Sequence, residues 1–109
     1  MKKTLLPLLL LLLSLQSFAG FDDLFLNKTL RIDFYHTGNS KQEMFSIDQL
    51  KSEPFWGGSH TTLLDTLNYG VYYFKAFDVS TGKLIYSHGY CSLFDEWQYT
   101  DEAKKTTRT

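Results

Sequence analysis

The chain has 109 residues, 43% of them apolar and 17% aromatic, with 11 Lys and Arg against 12 Asp and Glu for a formal charge of −1. A balance this near to neutral, with no basic cluster beyond the first three residues, leaves no electrostatic footprint for nucleic acid or anionic lipid. The single cysteine, Cys91, excludes an internal disulfide, so the fold has to rest on packing, to which the aromatic side chains bring the largest areas.

Lys2 and Lys3 precede an apolar run from Leu8 to Leu13, then Ser14, Gln16 and the small-residue site SFAG. That is the pattern of a secretory signal peptide, with cleavage expected after Ala19. The apolar stretch is about ten residues where a spanning helix needs roughly 20, and Cys91 lies too far from the cut to accept a lipid anchor. Cleavage would leave residues 20–109 and remove Lys2 and Lys3 but no acid, taking the charge from −1 to −3. The expected product is exported and has no membrane attachment. It would be periplasmic, cell-surface or extracellular, and it is long enough for one domain with a thin core.

In the mature part, TLRIDFYH alternates Leu30, Ile32 and Phe34 with Arg31, Asp33 and Tyr35, the period of a half-buried strand. Thr37 to Ser40, TGNS, supplies turn residues, and Phe45 and Ile47 resume the alternation, so a hairpin is predicted. Asp48 to Asn68 holds a proline and a Gly-Gly pair and reads as a crossing loop around Trp56. Tyr69 to Tyr90 reads as a long hairpin whose Gly82 takes the left-handed turn position. Its first strand is apolar on alternate residues of both sets, which predicts a central strand covered on both faces. Beyond Cys91 the alternation stops. The tail from Thr100 is polar, with Thr100 able to cap one helical turn, and holds nothing that would close a domain. The predicted fold is all-β, an antiparallel β-sandwich of immunoglobulin-like or jelly-roll-like type, incomplete at the C terminus.

The chemistry-bearing residues do not assemble into an enzyme. Asp95 and Glu96 are adjacent, and neighbours diverge to opposite faces of a strand or by about 100° on a helix, so they do not converge on one bond. Phe94 and Trp97 are expected to anchor that segment. His88 and Cys91 stand in H-x-x-C spacing, but a zinc site needs three or four ligands, and one pair is not a site. Cys91 reads as a small, partly buried apolar residue rather than a nucleophile. The glycines of WGGSH lack the lysine and helix of a phosphate loop. Trp56, Trp97 and Tyr99 are the aromatic residues proposed for a binding or interface role, while Tyr69, Tyr72, Tyr73, Tyr86 and Tyr90 are assigned to sheet packing.

The blocks LRIDFYHTGN, FWGGSHTTLLD, YGVYYFKAFDVSTGKLIYSHGY and SLFDEWQYTDEA, in that order from about Thr29 to Ala103, resemble the N-terminal domain of the IgA peptidase family, secreted zinc metallopeptidases common in gut anaerobes. The resemblance implies a β-sandwich-like accessory domain ahead of a larger catalytic domain, in which an H-E-x-x-H helix and a further ligand bind zinc. No such motif occurs in this sequence, so no residue inherits a catalytic or metal-binding role, and zinc is expected only in the catalytic domain. The implied partner is that domain, with a host glycoprotein or glycan as a further one. The alternative is a stand-alone secreted module binding glycan or protein.

Overall fold

The computed structural model describes residues 19–109, so the expected signal sequence up to Phe18 lies outside the described residues. A short helix, α1 (Phe21–Leu24), leads into β1 (Thr29–Gly38) and β2 (Glu43–Glu53), then β3 (Tyr72–Phe77), β4 (Leu84–Tyr90) and a second helix, α2 (Leu93–Gln98).

Two antiparallel hairpins, β1 with β2 and β3 with β4, form two two-stranded sheets. The first turn closes where predicted. Asn39 donates its N–H to the Gln42 carbonyl, and its side-chain oxygen accepts from the Lys41 and Gln42 amides. Gly38 is required there for space, since a Cβ on it would collide with the Gln42 carbonyl oxygen and lie 2.8 Å from the Glu43 Cα. In the second turn Gly82 adopts φ +70, as expected, and Asp78 organises the loop by accepting from Ser80 and Thr81.

The period-two reading of β1 holds in three dimensions. Register pairs Phe34 with Ile47 and His36 with Phe45, while Asp33 pairs with Gln49, so Asp48 is left unopposed as a bulge. Beyond the bulge the inward set on β2 passes from Phe45 and Ile47 to Leu50, which stands opposite Ile32. The other face carries a polar network in which Arg31 reaches Asp33 at 2.8 Å and Glu53 at 3.1 Å, and Gln49 also bonds Asp33. The Arg31 guanidinium holds the Asp33 carboxyl down at about 2.

The sheets meet face to face through rings. Phe34 packs edge-on to Phe74 at 5.8 Å and Phe45 meets Tyr72 at 5.6 Å, while within the second sheet Phe74 stacks on Tyr90 at 5.1 Å. The fold is thus all-β with facing antiparallel sheets, as predicted, and it is only partly filled. Among the described residues the buried apolar side chains are Phe21, Tyr72 and Ala103, whereas Phe45 is 48% and Ile47 68% exposed.

Five expectations need correction. β2 runs on to Glu53, where Gln49 to Glu53 pair with Asp33 to Thr29, so the crossing loop expected from Asp48 begins only at Pro54. The long hairpin is shorter than Tyr69 to Tyr90 at its start, because Tyr69 to Val71 precede β3 and Tyr69 is exposed. β3 is not a central strand covered on both faces. Its sheet has two strands, and its outward residues stay open, with the Lys75 ammonium 5.8 Å over the Tyr73 ring and Phe77 exposed. Cys91 is exposed rather than partly buried, because it falls in the gap between β4 and α2. The tail does contribute to closure. Ala103 is 1% exposed and its carbonyl accepts from the Ser40 amide, and Arg108 bridges Gly38 in antiparallel sense. Thr100 caps the turn before it, accepting from the Ala103 amide as anticipated.

Candidate functional site

Most of the ordered chemistry lies where β1 ends, β2 begins and α2 folds over them. Ser92 caps α2 by accepting from the Phe94 amide, which turns Phe94 onto His36 at 3.8 Å between ring centroids. On its other side His36 stacks on Phe45 at 4.2 Å, and Tyr72 meets it edge-on at 5.2 Å. Beside these rings the exposed Glu43 accepts two bonds on one oxygen, from His36 Nε2 at 2.7 Å and from the Tyr72 hydroxyl at 3.2 Å. A carboxylate can only accept, so Nε2 carries the proton. Burial, together with Glu43 and the nearby charge of Asp95, pushes the Tyr72 hydroxyl up to about 12.

This cluster was not legible beforehand, since its members come from three strands. Its geometry is that of a staple, because bonds and ring contacts from β1, β2, β3 and α2 converge there and tie the two sheets and α2 together.

A second polar node fixes the crossing loop. Asp65 accepts from the amides of Gly89 at 2.9 Å, Leu67 at 3.0 Å and Asn68 at 3.3 Å, and its own amide donates to Ser87 Oγ at 2.8 Å. The Ser87 backbone amide donates to the Leu63 carbonyl and the Ser87 carbonyl accepts from the Asp65 amide, so the loop covers the outer edge of β4. The three amides, Gly89 foremost, hold the Asp65 carboxyl below the usual carboxylate range. Asn68, next in line, adopts φ 58 to complete the turn.

The aromatic residues proposed for binding fall into separate clusters. Trp56 is half-buried and edge-on to Tyr86 at 5.9 Å, with its indole N–H donated to the Ser59 carbonyl. It forms one wall of a half-open apolar cavity of about 390 Å³, bounded also by Phe21, Phe25, Leu30, Ile32 and Phe74. Trp97 sits on α2, tilted against Phe94 at 5.2 Å, donating to Glu102 and lying under the Arg108 guanidinium. Tyr99, the C-terminal cap of α2, is 81% exposed.

Asp95 and Glu96 occupy the first turn of α2, where acidic side chains complement the helix dipole. His88 and Cys91 are both exposed, and His60 stacks on Phe21 at 4.1 Å. Among the described residues no three His, Cys, Asp or Glu side chains are grouped so as to hold a metal ion. No helix among them is long and apolar enough to cross a membrane.

The family model described as Peptidase M64 N-terminus matches residues 20–109. The chain belongs to that family. The M64 match spans both hairpins, α2 and the tail, and opens at Gly20, the residue that the expected cleavage would expose. No curated protein matches the chain. Membership makes it an N-terminal part of a peptidase M64 family protein, as the resemblance of its four sequence blocks implied.

Proposed function

We propose that this chain is the non-catalytic N-terminal accessory domain of an exported M64 peptidase, where it supports or positions a catalytic domain that carries the zinc. The observation that supports this reading best is the pairing of a family match over residues 20–109 with an inner sheet face left open at Ile47 and Leu30. Exposed apolar area of this kind marks a surface made to be covered. Export follows from the signal pattern, with processing near Ala19, and the partner is the peptidase's own catalytic domain.

The experiment is to read the frame beyond Thr109 and to weigh the exported product. An open frame running into an H-E-x-x-H segment is the expected result. A confirmed stop, with a product of the mature mass and a cooperative high-temperature melt, would overturn the reading. It would favour the alternative of a stand-alone glycan- or protein-binding module, for which Tyr99, the most exposed of the proposed aromatic residues, would be the first to replace with alanine.

A further inference from the structure

Gly38 and Arg108 exchange both backbone bonds, N–H to carbonyl at 2.9 and 3.0 Å, on the edge of β1 that faces away from β2. The next pair continues the register, since the hydroxyls of Thr37 and Thr109 lie 2.8 Å apart, as side chains of a close, non-hydrogen-bonded pair do. Two successive pairs define a strand direction. A chain leaving Thr109 on that course would run antiparallel to β1 from His36 toward Leu30. By the alternation of an antiparallel ladder, the N–H and C=O groups of His36, Phe34 and Ile32 point the same way as those of Gly38. Apart from that bridge, the described residues place no strand on this edge.

We propose that the outer edge of β1 is the seat of a further strand, supplied by the stretch of the parent peptidase that follows Thr109. The inference rests on the reading that the chain is the front of a longer protein. Its register is set by the Gly38–Arg108 bridge. The first, third, fifth and seventh residues after Thr109 stand beside His36, Phe34, Ile32 and Leu30 and face the opposite sheet, so they are apolar, and those between them are polar. Such a strand widens the first sheet to three and passes the cavity at Leu30 and Ile32, converting its open side into sandwich core. It also occupies an edge that would otherwise recruit foreign strands.

The test is cysteine cross-linking in a Cys91→Ser background. Thr37→Cys with Thr109→Cys probes the pair already formed, where a non-hydrogen-bonded position brings Cα atoms to about 4.5 Å, within disulfide reach. In a chain extended past Thr109 by a short segment alternating valine and threonine, Tyr35→Cys is combined with a cysteine at the second added position. Both disulfides are expected on air oxidation, and moving the added cysteine by one residue should lower the yield at least about tenfold, because the side chain then faces the other side of the sheet. Preferential cross-linking of the added cysteine to Met44→Cys on β2, or equal yields in both registers, would overturn the proposal.

If the extended chain fails to fold, hydrogen exchange on the full-length protein decides, with protection at the Phe34 and His36 amides expected and fast exchange there overturning the proposal. A continuation that pairs with β1 but leads to no peptidase motif would refute the proposed function and leave this inference standing.

Discussion

At the Gly38 end of the sandwich, His36 lies between Phe45 and Phe94 and shares Glu43 with Tyr72, and the tail closes over the turn through Ala103. At the Leu30 end the same two sheets enclose a cavity of about 390 Å³, and Leu30 is 63% exposed. The side chains are similar in apolar content, so the difference lies in what covers them. One end receives α2 and the tail from the chain itself, while among the described residues the other has α1 and Trp56 on one side only. Stability in this domain should therefore be concentrated at one end, and substitutions should divide along that line.

The sharpest break is expected from Gly38→Ala. Its Cβ meets backbone at the first turn, where no rotamer change can relieve the clash, so a loss of about 3 kcal/mol is expected from overpacking. Gly57→Ala, in the crossing loop with no atom within 4 Å of its Cβ, is the control and should leave the urea midpoint unchanged. Equal effects at the two glycines would show that the stapled end is not where the structure is held.

Next in size is Tyr72→Phe, which removes one of the two donors to Glu43 while keeping the ring between His36, Phe45 and Tyr90. A loss of about 1–2 kcal/mol is expected for a charge-assisted bond at a site only 9% exposed. The same hydroxyl gives the staple a pH signature. Folding raises its pKa from the ordinary 10.0 to about 12, so the folded state favours the neutral form. That stabilisation is complete below pH 10 and is lost as pH rises toward 12. Burial also pushes the Tyr86 and Tyr90 hydroxyls up, so absorbance at the phenolate band should show a late group of tyrosines ionising after the others, and Tyr72→Phe should remove one tyrosine from that late group. A titration in which all tyrosines ionise together would contradict the burial of Tyr72.

What could be read from sequence was what is local. The TGNS turn, the left-handed Gly82 and the alternation through Leu30, Ile32 and Phe34 each depend on a few adjacent residues, and each stands where expected. α2 was missed because six residues are too few for a helical period to emerge. Its only signal was Ser92 placed three residues before Asp95, a cap without the long apolar face that usually confirms one. The His36, Glu43 and Tyr72 cluster left no trace, since Tyr72 is 29 positions from Glu43 and each member alone is an ordinary polar residue. Closure by the tail was hidden for the same reason. Ala103 and Arg108 meet the first turn across more than half the chain, from within a segment whose composition reads as solvated.

The smallest effect belongs to the open end, and it separates the isolated chain from the full-length protein. Leu30→Ser removes an apolar side chain that is already 63% in water, so in the isolated chain the unfolding free energy from a urea titration should fall by no more than about 0.5 kcal/mol. In a full-length protein whose next strand lies along β1, the same position becomes core, and the loss should grow to about 2–5 kcal/mol, the range for truncating a buried leucine. A polar residue left facing an apolar layer adds to it. The contrast between the two backgrounds is the informative quantity, because either value alone could reflect the local environment of Leu30. A small loss in both would mean that the open end stays open when the protein is whole, and that the cavity beside Trp56 is a surface in its own right.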